Sequence, residues 1–91
     1  MIDIDYSTLA DEVESGAFRT RLEAELIRGF RAIHEAGERL PPPSYYAAKI
    51  ASIVAGGAAG PLAPALAFDL YQEILAACEG ATQTVLGELP S

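Results

Sequence analysis

Few side chains in this 91-residue chain could carry chemistry. His34 is its single histidine and Cys78 its single cysteine. His34 and Glu38 stand one helical turn apart, as two ligands of one metal would, but a closed zinc site takes three or four ligands of His, Cys or carboxylate type. Cys78 is the one other soft donor, so His34 reads as a surface or boundary histidine. As a general base it would need a nucleophile and an orienting group beside it, and the sequence supplies neither. Cys78 falls on the apolar stripe of the last long helix, where a thiol packs as a small hydrophobe with a raised pKa. The carboxylates lie mostly on solvent faces, so no acid–base pair poised across a cleft stands out. Gly56-Gly57-Ala58-Ala59-Gly60 has the glycine content of a phosphate loop, yet such loops follow a strand and bring a lysine or a helix N-terminus. No catalytic residue, metal or cofactor is expected.

The totals bound the rest. Hydrophobic residues make up 51% and charged ones 21%, too apolar for disorder and too charged for a simple membrane protein. A single domain spanning 1–91 follows, and a chain of this size buries only about 60–65% of the surface it exposes unfolded. There is no Trp, and much of the apolar fraction is Ala, so the core is thin and self-association would help it.

The formal net charge is −7 and the pI near 4.4, which repels phosphate backbones and anionic lipid heads. Direct nucleic-acid binding is therefore not expected. Residues 1–18 carry Asp3, Asp5, Asp11, Glu12 and Glu14 with no basic residue, while Arg19 to Arg39 hold five arginines against four glutamates. The acidic end reads as a solvated face partly neutralised by the chain's own arginines, with a basic partner as the competing reading. A lone cysteine excludes an internal disulfide, and the start lacks the basic-then-apolar pattern of a secretory signal. A cytoplasmic location is expected.

The elements that must position these residues are helical. Met1 to Tyr6 alternates apolar and acidic residues without a second strand to pair with, so it reads as an extended arm. Ser7 or Thr8 caps a short helix through about Glu14 with Leu9, Ala10 and Val13 inward, Thr8 and Asp11 forming a loose capping box. Ser15-Gly16 breaks the chain. From Ala17 to about Arg39, Phe18, Leu22, Leu26, Phe30 and Ile33 recur at helical spacing, with Arg21, Arg28, Arg31, Glu35 and Arg39 opposite. Glu35 and Arg39 are placed for an i, i+4 pair, and Ile27 falls outside the stripe. Pro41, Pro42 and Pro43 stop this helix.

Ser44 to Glu79 reads as a hairpin of two buried helices. Pro43 and Ser44 open the first, the glycine pair 56 and 57 ends it in a left-handed conformation, and Pro61 and Pro64 start the second. Tyr46, Ile50, Ile53 and Val54 share a face of the first helix, away from Lys49 and Ser52. In the second, Leu66, Leu70, Ile74 and Cys78 repeat every four residues, and Ala67, Tyr71 and Leu75 widen that stripe to about half the cylinder. Gly80 ends it, and Thr82 caps a final turn through Val85 and Leu86.

The expected fold class is all-α, a small bundle of three to four principal helices with an extended N-terminal arm. The expected function is a non-catalytic protein–protein interaction module, a regulator, inhibitor or small subunit of a larger assembly, acting through an apolar helix face with an acidic surround. Its partner is another protein or a second copy of the chain. Tyr45, Tyr46, Phe68, Tyr71 and Leu75 are the candidate contact residues, because aromatic groups are enriched at interface cores. One alternative is a membrane-associated helical hairpin: Ile50 to Phe68 is uncharged, although glycines and prolines interrupt it. Another is a small enzyme completed by oligomerisation.

Overall fold

The computed structural model describes residues 4–58 and 60–88 and contains four helices and no strand among them. They are α1 (Leu9–Ser15), α2 (Ala17–Glu35), α3 (Pro43–Gly57) and α4 (Pro64–Gly87). The all-α bundle matches the periodicity of the sequence. Residues 1–3 of the expected arm lie outside the described residues.

The chain enters α1 through a turn at Asp5. Its Oδ1 accepts from the Ser7 amide at 3.1 Å and from the Ser7 hydroxyl at 2.6 Å, and these bonds hold the carboxyl below its usual pKa. The expected capping box does not form. Thr8 occupies the N-cap without a capping bond, because its hydroxyl turns to the Asp5 carbonyl at 3.3 Å and to Glu12 Oε2 at 2.9 Å. Leu9 and Val13 are buried as expected, whereas Ala10 is exposed.

Gly16, at φ 85°, both ends α1 and precedes α2, a left-handed conformation that glycine adopts without steric cost. Helix α2 ends at Glu35, four residues before the expected boundary. The prolines are not what stops it. Gly37 takes φ 79°, and the amides of Gly37 and Glu38 bond back to His34 and Ile33 at 3.0 and 3.1 Å, the wrapped-back end that glycine favours after a helix. Arg39 is thus outside the helix, and its expected pair with Glu35 is not made. Ile27 packs half-buried against the core.

Pro43 and Pro64 stand at the starts of α3 and α4, where the missing amide costs no helical bond. Gly56 and Gly57 remain helical, and α3 is ended instead by Ala58 in an extended conformation. Gly80 does not end α4 either: the helix runs on to Gly87, because Ala77, Ala81 and Val85 continue the buried stripe beyond it. A Cβ on Gly80 would meet the Glu23 carboxylate of α2, the free end of a flexible side chain that would have to turn aside. Thr82 bonds back to the Cys78 carbonyl at 2.9 Å within the same helix.

Helix α4 is the centre on which the other three pack. It runs parallel to α2: Arg19 reaches Glu73 at 3.6 Å near one end and Arg31 reaches Glu88 at 2.6 Å near the other. Helix α3 returns antiparallel beside α4. The core gathers Leu9 and Val13 of α1, Phe18, Leu22, Leu26 and Phe30 of α2, Ala47 and Val54 of α3, and Leu70, Ile74, Ala77, Cys78, Ala81 and Val85 of α4. Among the described residues no buried side-chain nitrogen or oxygen lacks a partner.

Candidate functional site

Although α2 and α3 both pack on α4, no pair of their Cα atoms comes within 8 Å. A groove of about 320 Å³ opens between them. Phe18, Leu22, Leu26, Phe30 and Ile33 form the α2 wall, and Tyr46, Ile50, Ile53 and Val54 the α3 wall. Phe18 to Ile33 spans about 22 Å of helix and Tyr46 to Val54 about 12 Å, at 1.5 Å per residue. The walls meet at one point, where the rings of Phe30 and Tyr46 sit edge to face with centroids 5.4 Å apart at 72°. Ile4 closes part of the other end.

The N-terminal segment is fixed there by Tyr6, whose hydroxyl donates to the Val54 carbonyl at 2.7 Å. Val54 lies within the last turn of α3, whose carbonyls lack intrahelical donors, so the phenol satisfies one of them. Gly57 provides the space: a Cβ on it would stand 2.5 Å from the Tyr6 oxygen.

The groove is almost wholly apolar. Glu25, on the α2 wall, is its one charged lining residue and pairs with Arg28 one turn on. On α3, Lys49 extends over the Tyr45 ring with its ammonium 5.3 Å from the centroid. Lys49 forms no ion pair among the described residues, whereas Arg19, Arg21, Arg28 and Arg31 are paired with Glu73, Glu12, Glu25 and Glu88.

Of the five contact residues expected from sequence, only Tyr46 lines the groove. Tyr45 and Phe68 are 59% and 62% exposed at other places on the surface, while Tyr71 and Leu75 pack half-buried against the core. Ile53, which the periodicity places on the inner face of α3, is 60% exposed at the groove edge. The α2 wall escaped notice because a stripe that fills a core and one that lines a groove have the same spacing. What exposes the difference is how far apart two helices stand on a third.

The remaining chemistry-bearing groups do not converge. His34 is half-buried near the end of α2, and Glu38 lies beyond that helix, so the one-turn register between them is lost. Cys78 is fully buried, and its thiol is pushed up to about 11, by burial first and by Glu79 second. Among the described residues, no group of three or more His, Cys, Asp and Glu side chains could hold a metal ion. No described helix is long and apolar enough to cross a membrane. The chain matches no protein-family model, no curated protein and no solved structure.

Proposed function

We propose that this chain is a non-catalytic protein–protein interaction module that docks another polypeptide chain into the groove between α2 and α3. The observation that carries this reading is an apolar groove about two to three helical turns long, with Ile53 60% exposed on its edge. The apolar surface that is open lies on the α3 wall, where Ile53 is exposed and Tyr46 and Ile50 are half-buried, whereas Phe18, Leu22, Leu26, Phe30 and Val54 are buried. An apolar strip of this kind supports a docking role. The helix-in-groove mode of recognition uses such a channel, reading apolar side chains spaced at i, i+3 or i+4, and i+7. A regulator, an inhibitor and a small subunit of a larger assembly all act in this way, and none needs a catalytic residue.

A photo-crosslinking amino acid at position 53, introduced in the native host, tests the reading. A polypeptide adduct at position 53 that a control probe at exposed Glu35 does not give supports docking. Exclusive capture of solvent or small molecules at both positions would overturn it.

A further inference from the structure

We propose that residues 4–6 form an autoinhibitory clasp: Ile4 covers one end of the α2–α3 groove, Tyr6 fastens the segment to α3, and a chain that docks along the groove must displace it. This rests on the docking reading above and adds its regulation. The groove walls meet at Phe30 and Tyr46. At the far end, about 18 Å along α2 at Phe18 and about 12 Å along α3 at Val54, the segment 4–6 bridges them instead.

Ile4 lines the groove together with Phe18, Leu22 and Val54, and packs half-buried against the core. It is thus an apolar side chain of this protein standing where an anchor of a docked helix would enter. The fastening lies next to the open surface. Val54, whose carbonyl accepts from the Tyr6 hydroxyl at 2.7 Å, follows Ile53, the residue that stands 60% exposed on the groove edge. A chain seated on Ile53 therefore lies against the clasp.

The clasp is built to open without unfolding the rest. Among the described residues α1 packs on α2 and α4 but not on α3, and it begins at Leu9, so the segment before it can leave α3 while α1 stays in place. Tyr6 is 36% exposed and is tied to α3 by one neutral hydrogen bond. A bond of that kind shifts an equilibrium about fivefold. With the clasp closed in most molecules, the affinity for anything that needs the whole groove is lowered by the fraction that stands open. Release of the clasp then acts as the switch.

Titration of the purified full chain with the neutral apolar dye Nile red is the test, because the dye needs only an open apolar groove. Tyr6→Phe should bind it about fivefold more tightly than wild type, and adding Ile53→Asp should remove the gain. Ile4→Ser, which lifts the cover and keeps the Tyr6 bond, should give a gain of its own. Arg31→Gln breaks a contact near the other end of α2 and should bind the dye as wild type does. Equal affinities for wild type, Tyr6→Phe and Ile4→Ser would overturn the proposal, as would the same gain in Arg31→Gln, which would mean general loosening. The crosslink from position 53 reports on docking separately. An adduct there with no dye gain removes the clasp and leaves docking standing, whereas a dye gain with no adduct from wild type or Tyr6→Phe keeps the cover and removes docking, so the two failures are distinguishable.

Discussion

The Tyr6 hydroxyl and the Val54 carbonyl oxygen lie 2.7 Å apart, joining the segment before α1 to the last turn of α3. The contact depends on Gly57, since a methyl group there would stand 2.5 Å from the phenol oxygen. Tyr6→Phe removes the bond and should cost about 1 kcal/mol. Gly57→Ala should then be more favourable in the Tyr6→Phe background than in wild type by a similar amount, because alanine suits the helix and no oxygen remains to be displaced. Urea unfolding of the four proteins measures this coupling, and strictly additive effects would contradict the contact.

Leu70 is 2% exposed, in the central helix between Leu66 and Ile74. Leu70→Ala should destabilise the fold by about 2–5 kcal/mol, as deletions at well-packed sites do. A loss under about 0.5 kcal/mol in chemical denaturation would be a surface result and would discredit the α4 register.

Cys78 is fully buried, with its thiol pushed up to about 11 from 9.0. A thiol reagent at neutral pH should therefore label the native protein only as fast as it opens. The linkage sign is definite. Between pH 9 and 11 the unfolded thiol has lost its proton and the native one has not, so stability falls across that window. Cys78→Ala should remove this part of the alkaline loss. Equal slopes in the two proteins would rule out the assignment.

Arg31 holds Glu88 with two bonds, Nε to Oε1 at 3.0 Å and Nη2 to Oε2 at 2.6 Å. Hydrogen bonding to Arg31 keeps the Glu88 carboxyl below its ordinary value of 4.5. Its contribution to stability is therefore present above that value and is lost as the pH falls through the lowered one. An NMR titration should place the Glu88 midpoint below 4.5, and Arg31→Gln should move it up. An unmoved midpoint would mean that the pair is not held in solution.

Helix existence was legible because the apolar residues of α2 and α4 recur at 3.6-residue spacing, and that spacing survives any choice of neighbour. The ends were harder to read, since glycine has more than one use. Gly16 and Gly37 take positive φ and end helices. Gly57 and Gly80 keep helical conformations instead, Gly57 at the end of α3 beneath the Tyr6 phenol and Gly80 within α4 facing Glu23. Residue type does not distinguish these uses; the neighbour does, and it lies far away in the chain. The groove was hidden for the same reason. Leu22 and Leu26 read as core, which they are, but the spacing between α2 and α3 depends on how each seats on α4, and no local pattern encodes that.

The parallel course of α2 and α4 also bears on how the chain folds. Arg31 and Glu88 are 57 residues apart, whereas α3 and α4 are joined by the six residues 58–63. Closing the longer loop costs about 2 kcal/mol more in chain entropy than closing the shorter. The α3–α4 hairpin is thus the cheaper nucleus, and α2 docks onto it afterwards with α1 attached. Substitutions at the α3–α4 contact should slow folding, whereas those at Leu22 or Leu26 should chiefly hasten unfolding. Until α2 docks, its own stripe of Phe18, Leu22, Leu26 and Phe30, buried in the folded chain, lies open to water, and this late step is when the chain is most exposed to aggregation.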